Sequence, residues 1–105
     1  MDIRTCIESC LKCIEACEKC AFECCGDSVD RADSLKLCIT CADICTLCIR
    51  LSARGEANVL KKICALCAEI CDACADECEK HDMEQCKACA KACRECAEAC
   101  RNCCA

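Results

Sequence analysis

The sequence predicts an all-α protein, an antiparallel up-down-up-down four-helix bundle with a cysteine-lined core. Three observations predict it. Of 23 cysteines, 21 recur in alternating steps of three and four, the rhythm of a and d positions along one helix face. They fall into four groups separated by short gaps. Proline is absent, only Gly26 and Gly55 interrupt the chain, and Phe22 is the one aromatic residue. Few β-formers are therefore available, while Ala, Leu, Glu and Lys favour helices. A length of 105 residues allows one small domain, so residues 1–105 are expected to form a single bundle.

The first helix, 2–25, carries Cys6, Cys10, Cys13, Cys17, Cys20 and Cys24, flanked by Ile3, Ile7, Leu11 and Ile14. Glu8, Lys12, Glu15 and Lys19 supply its outer face. In "ECCGDSVD", Gly26 is expected to end it, and Asp27 or Ser28 to cap the next. The second helix, 28–53, holds Cys38, Cys41, Cys45 and Cys48 beside Leu35, Leu37, Ile44, Leu47 and Leu51, with Ser34 at the stripe position before Cys38. Gly55 is placed to terminate it. The third, 56–80, holds Cys64, Cys67, Cys71, Cys74 and Cys78 beside Leu60, Ile63, Leu66 and Ile70. Asp82 and Gln85 suggest a capping box for the fourth, 82–103. That helix carries Cys86, Cys89, Cys93, Cys96, Cys100 and Cys103 among alanines (Ala88, Ala90, Ala92, Ala97 and Ala99) that allow close approach. Each helix would be roughly 33–38 Å long, and connections of a few residues force antiparallel neighbours. Cys74 then falls level with Cys89, Cys71 with Cys93 and Cys67 with Cys96.

Charge excludes several roles. The net charge is −5, with both signs interleaved and without the basic stripe that nucleic acid requires. No run of eighteen apolar residues suggests a membrane span. "MDIRTCIESC" has an acid at its second position and no apolar run before a small-residue cleavage site, so no secretory signal is read. A cytoplasmic location is expected, where thiols stay reduced.

A thiol-lined axis admits several chemistries. As plain core, cysteine is a small hydrophobe, but a stripe of it packs poorly and oxidises. Disulfides suit neither the reducing compartment nor the odd count, and bridging i to i+4 is too long a reach. Zinc takes four thiolates in a tetrahedron. Stacked layers would each carry a net charge of about −2 with no interior lysine to offset it. Iron–sulfur runs sit in loops, typically followed by proline. A thiol–disulfide oxidoreductase would need only one CxxC, in a βαβ setting. Cu(I) is soft, prefers thiolate and accepts two or three ligands. Bridging thiolates let each ion replace about one thiol proton, so filling adds little charge. Cu(I) storage is the leading reading. A zinc- or iron–sulfur-binding bundle or an oxidoreductase remains the alternative.

The run "ICALCAEICDACADECEKHDMEQCKACAKACRECAEAC", residues 63–100, resembles the second half of the cytosolic bacterial copper storage proteins. The first half shares the CxxxC and CxxC rhythm. The resemblance implies a four-helix bundle that holds many Cu(I) ions without catalysis, assembles as a homotetramer and admits copper at one end. Copper chaperone or efflux proteins would then be its partners. Relatives carry several histidines around the third loop, where this chain has His81 alone, which puts a histidine-gated entrance in doubt.

The pairs Cys6/Cys10, Cys13/Cys17, Cys20/Cys24, Cys41/Cys45, Cys67/Cys71, Cys74/Cys78, Cys89/Cys93 and Cys96/Cys100 are the expected Cu(I) grips. Cys38, Cys48, Cys64, Cys86 and Cys103 would complete or bridge sites. Cys25 and Cys104 lie off the stripes, as extra ligands at the bundle ends or as surface thiols. His81, three residues after Cys78, is either a helix-terminal residue favoured by the dipole or an entrance ligand with Met83 as its thioether partner.

Overall fold

The computed structural model describes residues 3–25 and 31–103, with the side chain of Cys25 left out. Four α-helices follow in order: α1 (Ile3–Lys19), α2 (Ala32–Arg54), α3 (Ala57–Cys78) and α4 (Glu84–Cys103). Each helix packs on its neighbours in sequence, and α4 closes the ring against α1. The result is an up-down-up-down bundle measuring 39 × 17 × 17 Å. Among the described residues there is no strand, and no helix is long and apolar enough to cross a membrane.

Helix ends show where local chemistry modifies the periodic pattern. α1 does not run as α-helix to residue 25. From Cys20 to Cys25 it widens into a π-helical turn, a form that recurs at functional sites. This turn is tied at its end: Arg31 Nε donates to the Cys24 carbonyl, one of the terminal acceptors a helix leaves unpaired. The expected caps Gly26, Asp27 and Ser28 lie outside the described residues. After α2, Gly55 adopts φ 74°. Its N–H reaches the Ser52 carbonyl and the Glu56 N–H reaches Leu51, the paired closure of a Schellman motif.

Two expectations at the third connection fail for identifiable reasons. α3 stops at Cys78 because the N–H groups of Lys80 and His81 bond three residues back, to Glu77 and Cys78, tightening the chain into a turn. His81 therefore does not continue the helical stripe. Gln85 does not reach back to Asp82 as a capping box would. Instead its amide donates to Glu23 Oε2 at 2.9 Å and accepts from Cys24 Sγ at 3.7 Å, which joins α4 to the π turn. Asp82 pairs with Lys87.

Packing between helices is shared differently from the expected division. All the stripe cysteines are buried, and the other buried apolar residues are mostly Ala21, Ala42, Ala68, Ala75, Ala90, Ala97 and Ala99, with Leu51 and Leu60. Ile14, Leu35, Leu37, Ile44, Ile63 and Ile70 pack on that core while half-buried. Leu11, Leu47 and Leu66, expected as packing flanks, are exposed. Once sulfur occupies the inward positions, neighbouring positions turn toward the rim, and residues one step further reach solvent. On the outside, Arg94 of α4 binds Asp72, Asp76 and Glu79, and Arg101 also binds Asp72. These pairs brace α4 against α3.

Candidate metal centre

The helical period delivers one sulfur to the axis at each step of three or four residues. Antiparallel register then sets the steps of facing helices level. Between α1 and α4 this makes a ladder of five rungs: Cys6/Cys100, Cys10/Cys96, Cys13/Cys93, Cys17/Cys89 and Cys20/Cys86. Their Sγ–Sγ distances are 3.9, 3.7, 3.7, 3.7 and 3.7 Å. Between α2 and α3, Cys45/Cys67, Cys41/Cys71 and Cys38/Cys74 lie 3.8, 3.5 and 3.8 Å apart. The two ladders touch through Cys13/Cys41 at 3.6 Å and through Cys38/Cys89, Cys41/Cys93 and Cys45/Cys96 at 3.8, 3.9 and 3.8 Å. All these are thiol contacts, far longer than the roughly 2.05 Å of a disulfide.

Sulfurs consequently gather in fours. Cys10, Cys48, Cys67 and Cys100 come from four different helices, and so do Cys10, Cys45, Cys67 and Cys96, and Cys13, Cys45, Cys71 and Cys96. Cys13, Cys17, Cys41 and Cys93 form a further group, as do Cys17, Cys74, Cys89 and Cys93. Within each group the Sγ atoms lie within 4.8 Å of one another. The groups overlap: Cys10, Cys13, Cys17, Cys45, Cys67, Cys93 and Cys96 each belong to two of those five. The pairs along a helix, Cys13/Cys17, Cys67/Cys71 and Cys89/Cys93, are each 3.9 Å apart, no closer than the contacts across helices. The arrangement is therefore a continuous sulfur column rather than a row of separate i,i+4 grips.

Burial disfavours thiolate, while S–H···S bonds shift individual thiols in both directions. Cys78 is drawn down to about 5, chiefly by a bond from Cys20. Cys74 is drawn to about 6 by Cys17, and Cys67 to about 7 by Cys10. Their donors are pushed up: Cys17 by its bond to Cys13, Cys20 by its bond to Cys38 and Cys10 by its bond to Cys100. The effect alternates within α3: Cys67, Cys74 and Cys78 are lowered, whereas Cys64 and Cys71 are raised by bonds to their neighbours. A soft cation entering the column meets some ligands already biased toward the deprotonated form.

The column ends in polar chemistry on one side. Ser34, fully buried at the stripe position before Cys38, donates to Glu77 Oε2 at 3.4 Å. His81 Nε2 lies 3.4 Å from the same oxygen, and Lys80 pairs with the other at 3.1 Å. Lys80, then His81, hold the Glu77 carboxyl below the usual carboxylate range. Met83 is half-buried against the core at this end, while His81 is engaged by Glu77. Cys25 and Cys104 lie outside the residues whose side chains are described. Ser52, outside the expected set, is buried, and among the described residues its hydroxyl has no partner. It sits four residues after Cys48, so the stripe arithmetic that found Ser34 could have found it. Glu23 and Gln85 are joined across elements, and Glu77 reaches Ser34 of α2 as well as Lys80 and His81 of its own segment, so none of the three stands on the cysteine stripe.

Known proteins share this fold. The family model described as copper storage protein matches residues 1–105. The uncharacterized cysteine-rich protein YhjQ of Bacillus subtilis (strain 168) is 46% identical over 83 residues, 77% of this chain and 76% of that protein. Apo copper storage protein 3 from Bacillus subtilis is 44% identical, with a TM-score of 0.88 over 97% of this chain and 98% of that one. The Cu(I)-bound copper storage protein BsCsp3 is also 44% identical, with a TM-score of 0.89 over 100% of both chains. Ccsp from Streptomyces lividans, loaded with 10 copper equivalents, is 36% identical, with a TM-score of 0.91 over 97% of this chain and 83% of its own. With its buried sulfur column and a family match along its whole length, the chain belongs to the copper storage proteins.

Proposed function

We propose that this protein stores Cu(I) on the thiolates of its axial column, limiting free copper in the cytoplasm without catalysing a reaction. The observation that carries the reading is the overlap of the four-sulfur groups. Zinc takes four thiolates in a tetrahedron, so filling these groups with zinc would leave excess negative charge in the buried column. Cu(I) needs two or three and tolerates bridging sulfur, so it can use every step of the column. The stripe cysteines of all four helices are the proposed ligands, with Cys25 and Cys104 as additional donors at the ends. His81 and Met83 are the proposed entrance ligands, which requires His81 to exchange Glu77 for the metal. Loading needs little backbone change, since an apo and a Cu(I)-bound relative match this fold alike. Assembly as a homotetramer is proposed from the resemblance and from the apolar surface left by Leu11, Leu47, Val59 and Leu66. A copper chaperone or efflux protein would exchange the metal.

Titrating the fully reduced protein with Cu(I) against a competing chelator tests the reading. The expected endpoint approaches about one ion per thiol, as bridging permits. Saturation at a handful of ions, or loss of copper to a weak chelator, would sink it.

A further inference from the structure

One cleft reaches the sulfur column from the side. Between α3 and α4, a cavity of about 210 Å³ is lined by Lys61, Cys64, Ala65, Cys100 and Arg101. Cys64 and Cys100 are each only 1% exposed, so the cleft ends on the outer edge of core sulfur. Both bond within one thiol level that also includes Cys6 and Cys48. The adjoining axial end is filled by Leu51 and Leu60, at 5% and 1% exposure. The His81 end lies at the opposite pole. Ala65 keeps the cleft open because its side chain is a single methyl. Lys61 and Arg101, both exposed, place two cations at its mouth, with Arg101 oriented by Asp72.

We propose that this cleft is a lateral docking site where a small anionic thiol carrying Cu(I) transfers the ion to Cys64 and Cys100. This rests on the storage reading and adds a ligand class and a second route. A carboxylate on the carrier would meet the Arg101 fork and the Lys61 ammonium, the side chains suited to it. A cleft of this volume takes a small molecule, not a protein segment. In the transfer, the carrier's S–Cu bond breaks as two Sγ–Cu bonds form, to Cys64 and Cys100. Of the two protons displaced from these thiols, one passes to the departing thiolate and the other to water, and copper remains Cu(I) throughout. Lys61 adds a cation beside the Arg101–Asp72 pair, and a locally positive mouth concentrates an anionic carrier and raises its on-rate.

Loading rates of the full reduced chain, measured by stopped flow, test the proposal. The probes are Cu(I)–glutathione, which is anionic, and Cu(I)–2-mercaptoethanol, whose thiol carries no carboxylate. Lys61→Glu is expected to slow loading from glutathione roughly tenfold, to weaken its salt dependence, and to leave loading from mercaptoethanol unchanged. Ala65→Trp, at an exposed position, should slow both by plugging the cleft. Parental rates in both variants overturn the proposal, and so does slowing in Ala65→Trp alone, which removes the charge selection. Lys61→Glu alters only a surface side chain, so the test survives if Ala65→Trp does not fold. Saturating capacity is measured separately: its collapse in the parent chain strikes the storage reading, whereas unchanged capacity with unchanged rates strikes only the cleft.

Discussion

At the scale of single residues, a thiol's proton depends on which neighbour donates to it. Cys78, Cys74 and Cys67 are lowered to about 5, 6 and 7, chiefly by hydrogen bonding with Cys20, Cys17 and Cys10. A group depressed on folding contributes stability that is present above its unfolded pKa, about 8.5 for a free thiol. That stability is lost as pH falls through the folded value. The metal-free protein should therefore keep ultraviolet thiolate absorbance well below neutral pH, losing it between about 7 and 5. Unfolding in denaturant should move the titration up toward the free-thiol range. A folded apo-protein with no thiolate signal at pH 7 would contradict the lowering of Cys78 and Cys74. Copper loading should weaken through the same window, because protons then compete for the first ligands.

At the scale of elements, α2 and α3 meet at a turn whose two parts can be tested separately. Gly55 holds φ 74° with open space where a Cβ would go. Gly55→Ala should then cost only the left-handed backbone penalty, about 1–2 kcal/mol, in equilibrium denaturation. Leu60, one turn into α3, is 1% exposed, and Leu60→Ala should cost about 2–5 kcal/mol through lost burial and a residual cavity. If Gly55→Ala cost more than Leu60→Ala, the turn rather than the core would be holding the junction. Gly55 and the four stripes were legible in the sequence because each is a local rule: one glycine past a periodic run, one sulfur per step. The π turn at Cys20–Cys25 was not, since Arg31 and Gln85 fix it from outside the turn, through the Cys24 carbonyl and Glu23. Nor was the escape of His81 from the stripe, which the backward bonds of Lys80 and His81 decide. Leu11, Leu47 and Leu66 read as packing flanks because a heptad pattern does not distinguish residues at the rim from those one position beyond it. Of the site, the cysteine stripe was legible, and the sharing of sulfurs among adjacent groups required the register.

At the scale of the whole molecule, the question is how a chain of net charge −5 can hold a column of cations and thiolates in its interior. Charge buried without compensation is expensive, so filling must be nearly neutral step by step. If each Cu(I) replaces one thiol proton, the loaded and empty proteins carry almost the same charge. Zinc on four thiolates replaces up to about four protons and leaves about −2 per site, which accumulates along the axis. Proton release during metal addition, followed in weakly buffered solution at neutral pH, distinguishes these cases. The expected value is about one proton per Cu(I) over most of the titration. It should be lower for the first ions, because Cys74 and Cys78 are already drawn to about 6 and 5 and have little proton left to lose. A constant release of two or more per Cu(I) from the first addition would show charge building in the core. The column could then fill only sparsely, and bridging sulfur would no longer explain why the chain spends a cysteine at every step of four helices.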